Sequence, residues 1–415
     1  MTAVRSTGTL VLVAIAACKN PPARPAVGPA DAANDAPVAA VARPPDAAVA
    51  HCGSSPGPEL PLGRAVGAAA VLADGTILLG GPSKLGGWSA ILDPDSGKMT
   101  DVVVPGASAA IHMVRTGDAI VMLGSPNAVA PATDAMRFDS GIGRWSKLPS
   151  VPACATVGPS AELDVTVEPV TLADGTVLVV GSHCAAILGT DGTWSETAPP
   201  VRERRGFTLV RLRDGDVLRI GGLVTTADGD LEASTVVDRY HVAKGRWSAA
   251  APAHYMRYDQ SAVRLDDGRV LVVGGCEDSG TICHAESKPA PPPEIYDPAR
   301  DRWTVLGSGA VTNRESAALT SLPDGRVVVL GGLADDRGTI PPSAVYDHGH
   351  WFALPPLAQD RVGRVAVVAG DHVLLSGRFT RADQPVLEWY GVAVDCPATP
   401  VDLQPAPPPV GGSYP

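Results

Sequence analysis

The chain has 415 residues and a formal charge of -11, which argues against a nucleic-acid partner, because phosphate binding needs grouped Lys and Arg. Its 45 glycines and 40 prolines imply many turns, and an apolar content of 45% is ample for a core. The length allows two or three domains or one array of repeats.

At the N-terminus, Arg5 precedes an apolar run from Thr9 to Ala17 that is too short to span a bilayer. The run ends Ile15-Ala16-Ala17-Cys18, which resembles a bacterial lipobox, small residues before a Cys that is diacylated. That resemblance makes residues 1–17 a lipoprotein signal peptide and Cys18 the lipidation site, so the mature protein is expected to be exported and membrane-anchored. A plain secretory signal with an incidental Cys is the alternative reading. Lys19 follows Cys18 where inner-membrane retention signals place Asp. Resemblance to enterobacterial lipoprotein sorting then implies the outer membrane, on its periplasmic side or the cell surface. Residues 18–50 are Pro, Ala and Asp with almost nothing to bury, and read as a disordered spacer.

Between residues 51 and 396 a short unit recurs. A two-residue turn appears as Asp74-Gly75, Gly117-Asp118, Asp174-Gly175, Asp214-Gly215, Asp267-Gly268, Asp324-Gly325 and Gly370-Asp371. Each sits between runs of Val, Ile and Leu, the pattern of a tight hairpin, with a type I′ turn expected at Asp-Gly. A buried-looking strand follows each turn, as in Val270 to Val273, and ends on glycine, as in Gly274-Gly275. Glycine there allows a neighbouring backbone or ring to come close. The spacing suits a four-stranded propeller blade, and no convincing amphipathic helix interrupts it.

Tyr240 precedes Trp247, Tyr296-Asp297-Pro298 precedes Trp303, Tyr346-Asp347 precedes Trp351, and Phe138-Asp139 precedes Trp145. With the Gly-Gly doublets, this resembles the kelch repeat and, more loosely, the propeller domain of galactose oxidase. Other copies are worn: Leu92-Asp93-Pro94 leads only to Met99, and Trp194 lacks its Tyr. The resemblance implies an all-β, kelch-type β-propeller. Seven hairpins imply seven four-stranded blades, with six and a degenerate end as the alternative. A propeller must close its ring, and residues 51–62 could lend the missing strand, although they are rich in Pro and Gly. Residues 397–415 read as an irregular Pro-rich tail.

Six cysteines remain after Cys18, and an exported protein is expected to pair them, although six allow fifteen pairings. Repeat position narrows the choice. Cys276 and Cys283 flank one loop, and Cys154 and Cys184 share one repeat, which leaves Cys52 and Cys396 at the two ends. A Cys52–Cys396 bond would lock the ring, with about 4–5 kcal/mol or more from chain entropy. Free thiols or a metal site are the weaker alternative, since no pair has CxxC spacing.

The most regular polar feature is an Arg ten residues before the turn: Arg64, Arg204, Arg257, Arg314 and Arg361. Ser108 and Asp164 replace it in two repeats. Such a ring at a channel mouth could bind carboxylates or acidic sugars, but bracing an adjacent blade's loop is the favoured explanation. His254 to Asp259 is rich in recognition side chains, and Arg257 and Tyr258 with the other arginines form the candidate ligand site. Neither a catalytic signature nor a metal motif stands in the expected context, so no cofactor is assigned. The copper ligands and crosslinked Tyr of galactose oxidase have no residue-by-residue match. The resulting expectation is a monomeric envelope binding or scaffold module for a protein or glycan, without catalysis. The alternative is a carbohydrate-active enzyme, sialic acid epimerase-like or galactose oxidase-like, with an Arg-lined channel mouth.

Overall fold

The computed structural model describes residues 52–125, 134–152, 167–277, 290–309, 311–312, 314, 317–332, 342–358, 361–379 and 387–409. The leader, Cys18, the spacer, Cys154 and Cys283 lie outside them.

Alternating Val, Leu and Ile with tight turns leaves each repeat no route to bury both faces except stacking on another sheet. Seven antiparallel sheets result, each with four repeat strands. The innermost strands are Ala68–Val71, Ala109–Thr116, Glu168–Thr171, Thr208–Arg211, Ser261–Arg264, Ala318–Ser321 and Arg361–Ala369. Each touches the next, and the last touches the first, so the sheets form a closed seven-bladed propeller. The second strands, such as Val177–Val180 and Val270–Val273, are buried at every position between two neighbouring blades. The core therefore consists of seams between sheets rather than one central mass.

The aromatic motif fills those seams. In blades two, four, five and six the third-strand ring pairs across to the fourth-strand Trp, with centroids 5.0–5.2 Å apart. In blades two, four and five the indole NH then reaches back to the preceding blade. Trp247 donates to the Ala198 carbonyl at 3.0 Å and Trp303 to Ala251 at 2.7 Å.

Turn geometry departs from the type I′ expectation. At Asp74-Gly75 the Gly75 amide donates to the Leu72 carbonyl at 3.1 Å, and Leu72 pairs with Thr76. Only the glycine has positive φ, at 85°, while the Asp74 carboxylate accepts from the Thr76 amide at 3.0 Å. This is a three-residue connection, a type I turn closed by a glycine bulge. The Asp is there to hold the amide two residues on, which removes any need for it to adopt positive φ. The reversed Gly117-Asp118 and Gly370-Asp371 pairs make true two-residue links, with positive φ at the glycine alone.

The ring closes with Cys52–Pro56, which pairs antiparallel with Glu388–Val392 as the outermost strand of blade seven. Cys52 is bonded to Cys396. Cys184 and Cys276 are also disulfide-bonded, each to a cysteine outside the described residues.

The tail corrects the expectation of an irregular terminus. Thr399–Val401 adds a fifth strand to blade six, pairing with Trp351 to Ala353. Ser308 and Gln404 then exchange amide–carbonyl bonds at 2.8 and 2.9 Å, and the Tyr255 hydroxyl donates to the Pro407 carbonyl. An outermost strand leaves a row of unpaired backbone groups, and a proline is tolerated in a strand that covers it. Val401 and Leu403 also pack on the core between blades five and six. Truncation after residue 398 is expected to cost about 2 kcal/mol, read as a lower urea midpoint, because both side chains lose apolar burial.

Candidate functional site

The connections between blades and those between second and third strands emerge on one side, here the loop face. The Asp-Gly turns and the links between third and fourth strands emerge on the other, the turn face. The repeated arginines start on the loop face, where a ligand site was expected.

Arg204, Arg257 and Arg314 instead point inward, with exposures of 0%, 1% and 0%. Arg257 Nη1 donates to the Gly274 carbonyl at 3.1 Å, and Nη2 donates to the Pro292 carbonyl at 2.9 Å and to Glu294 at 2.7 Å. Arg314 uses the same acceptors in its blade, the carbonyls of Gly331 at 3.1 Å and Pro342 at 2.6 Å, plus Val311 at 2.7 Å. Arg204 binds the Gly221 carbonyl at 2.6 Å, the Val236 carbonyl and Asp238. In each case the guanidinium bridges the end of the second strand to the start of the third. Those carbonyls lie where the strands diverge, and a planar five-donor fork can satisfy two or three at once. These three arginines are therefore not a channel-mouth ligand site. The bracing is also within the blade, not to the loop of an adjacent one.

Adjacent blades are linked through the glycine instead. A Cβ on Gly274 would lie 2.1 Å from the Arg314 carbonyl oxygen, and one on Gly221 2.5 Å from that of Arg257. The Gly222 amide donates to the Arg257 carbonyl at 2.8 Å. Doublet and arginine thus form one device: the side chain ties its own blade, and its backbone nests against the glycine of the blade before.

Burial holds the guanidinium pKa of Arg204 and Arg257 below the ordinary value, opposed by Asp238 and Glu294 respectively. Among the described residues Arg314 has no carboxylate partner, and burial pushes it down to about 9, still cationic at neutral pH. The acids were missed in the sequence. Asp238, Glu294 and Glu388 each sit two residues before a third-strand Tyr, at 1%, 0% and 2% exposure. Their repetition at one offset was the available signal. Arg219 was missed too. It lies over the Phe207 ring at 4.2 Å and binds the carbonyls of Arg202, Ser182 and Arg204. Nothing in a strand reading Val-Leu-Arg-Ile announced a buried cation.

The remaining candidates divide. Arg64 lies at the surface, 22% exposed, bidentate to Asp101 at 2.5 and 2.8 Å and over the Trp88 ring at 5.0 Å. The hydrogen bond from Arg64 holds the Asp101 carboxyl below its usual range. Arg361 begins the innermost strand of blade seven, and its side chain lies outside the described residues. Tyr258 is buried, bridged through its backbone to Cys276 at 3.1 and 2.9 Å, and packs with Leu223, Ala233 and Met256. Its place is a small satellite core, not a ligand surface. Ser108, in the arginine position of blade two, is buried and donates to Asp134. His254 is the most accessible of the group at 47% exposure, its Nδ1 2.8 Å from Glu294. Among the described residues no cluster of three metal-ligating side chains occurs.

The large exposed apolar side chains are distributed unevenly. Leu62, Leu85, Val103 and Val201 lie on the loop face at 75%, 94%, 86% and 55% exposure. Leu85 tips the tight hairpin joining Ile77–Ser83 to Gly86–Leu92, and Arg64 bridges to Ser83 beside it. Ile142 and Val394 are the corresponding residues on the turn face.

Fold and repeats define an all-β propeller of kelch-like blades. The Kelch-like protein terF of Aspergillus terreus is 29% identical over 212 residues, 45% of this chain and 44% of that protein. An F-box/kelch-repeat protein of Arabidopsis thaliana is 29% identical over 33% of each chain, and alpha-scruin of Limulus polyphemus is 22% identical over 38% of this chain and 17% of its own. The chain thus spans less than half the length of the curated relatives it matches. A solved fungal alcohol oxidase of the AA5 family, in complex with copper, superposes with a TM-score of 0.60 at 16% identity, covering 84% of this chain and 78% of that one. That likeness is one of fold alone. No family model matches the chain.

Proposed function

We propose that this protein is a non-catalytic recognition propeller, exported and anchored through acylated Cys18, that binds a protein partner with its loop face. The supporting observation is the division between faces. The turn face repeats one Asp-capped connection in five of the seven blades, whereas the loop face differs from blade to blade and carries Leu62, Leu85, Val103 and Val201. Exposed aliphatic side chains of this kind suit a protein surface, where desolvating them drives association, better than a glycan. The kelch-repeat relatives favour the same class. The chain's course agrees with anchoring. Cys52 pairs with Val392 at the turn-face end of blade seven, so a tether running from Cys18 meets the propeller there and leaves the loop face outward.

The full chain, expressed with its own leader in its native envelope, should fractionate with membranes and incorporate labelled fatty acid, and Cys18→Ala should abolish both. A photo-crosslinking residue at position 85 should capture a discrete protein, whereas one at position 142 should not. A Cys18→Ala protein that still carries lipid removes the anchor, and equal or absent capture at the two positions removes the loop-face partner.

A further inference from the structure

The worn repeat has a structural consequence that the proposed recognition role does not use. Five blades place an aromatic at one position of the third strand. Phe138, Tyr240, Tyr296 and Tyr346 each lie opposite a Trp, and Tyr390 occupies the place in blade seven. The register of blade three is the same: Leu188 lies opposite Trp194 and pairs with Val177, as Tyr240 pairs with Val217. Here leucine stands where the others have a ring. In blade one the equivalent pair is Leu92 and Met99, and Leu60 packs into that seam from the connecting segment. Trp194 keeps its backward bond, to the Pro149 carbonyl at 2.9 Å, but has no ring to stack on.

A cavity of about 360 Å³ lies in this seam between blades two and three. Its wall is apolar, formed by Val121, Leu148, Val177 and Leu188. Its mouth lies among the turns and is polar, with Thr116, Asp118, Arg137, Asp174 and Thr190. Arg137 Nη1 reaches the Thr190 carbonyl at 3.2 Å across the seam, and Thr116 donates to the Gly175 carbonyl, so the mouth is a formed structure. The volume falls in the lower part of the range of small-molecule sites, apolar walls with a few polar groups.

We propose that this seam is a binding site for a small hydroxylated aryl compound, whose ring occupies the space that a tyrosine ring fills in the intact blades. Polarity matches that orientation. In blades four and five the Tyr hydroxyl emerges at the turn end and meets a polar side chain, Thr197 for Tyr240 and Asp301 at 2.7 Å for Tyr296. A phenol in the blade-three seam puts its ring against Leu188 and Val121 and its hydroxyl among Asp118, Asp174 and Thr190.

The test uses the mature full chain with phenol, and cyclohexanol as the control of similar size without a ring. Phenol should saturate at millimolar concentration in ligand-observed NMR, at least tenfold more tightly than cyclohexanol. An aryl azide carrying a hydroxyl should label residues 116–121 or 188–192 on photolysis. Leu188→Tyr should raise the thermal midpoint and weaken phenol at least tenfold, with Leu188→Phe as a second filling variant should the tyrosine fail to fold. Equal binding of phenol and cyclohexanol, labelling elsewhere, or unchanged phenol affinity in a folded filling variant overturns the proposal. None of these readouts depends on Cys18 or on a loop-face partner.

Discussion

Arg257→Met is expected to destabilise the protein by about 3–5 kcal/mol, the usual cost of leaving one partner of a buried ion pair behind. Glu294 is fully buried, and without the guanidinium it keeps, among the described residues, the His254 and Tyr255 amides and the His254 ring as donors. The carbonyls of Gly274 and Pro292 lose their donor at the same time. Arg257→Lys should recover little, because one ammonium on a flexible stem cannot reproduce a planar fork over three acceptors. Arg257→Met combined with Glu294→Leu should cost less than the sum of the single changes, as the stranded charge is gone. Urea unfolding followed by tryptophan fluorescence measures all four proteins. A loss below about 1 kcal/mol in Arg257→Met would contradict the brace and return Arg257 to the surface, where such changes cost little.

Opening the ring should have an effect of similar size. Cys52→Ser with Cys396→Ser removes a crosslink between residues 344 apart in sequence. The chain-entropy model assigns about 6 kcal/mol to so long a loop. The strand Cys52–Pro56 still pairs with Glu388–Val392, so the propeller should fold, but that seam becomes its weakest. Hydrogen exchange should then appear first at Glu388–Val392, while amides of Val177–Val180 stay protected. Each single serine variant should match the double variant, since either change breaks the bond. An unchanged urea midpoint in the double variant would show that strand pairing alone closes the ring.

Seven blades were legible as the leading count, with six as the alternative, because hairpins recur every 40 to 57 residues and a two-residue periodicity in short Val-rich runs has few other solutions. The closing strand was legible only through Cys52 and Cys396, since Gly53 and Pro56 are poor strand residues. Pairing with an available edge overrode that propensity. The same effect carried Thr399–Val401 into blade six against its composition. For the candidate site, sequence identified the repeated arginines but not their direction. A residue in an inter-blade connection can turn to the channel, to solvent or into its own sheet. The acids two residues before Tyr240 and Tyr296, which favour the inward path of Arg204 and Arg257, lie some 34 to 37 positions downstream of those arginines.

Sequence by itself determined the all-β class, the blade and its turn landmarks, the glycines and the aromatic pair, because each is a local requirement repeated until chance is excluded. It also determined where the repeat is worn, at Trp194, which lacks its Tyr, and at Leu92 with Met99. Only the tertiary structure decided what those features do. Burial turned Arg204, Arg257 and Arg314 from recognition groups into braces, since a guanidinium at 0–1% exposure is reserved for the carbonyls around it. Packing of blade three against blade two left an open cavity beside Leu188, the position at which blades four to six carry a tyrosine. Local pattern specifies the sheet, and the meeting of sheets decides which side chains remain available for function.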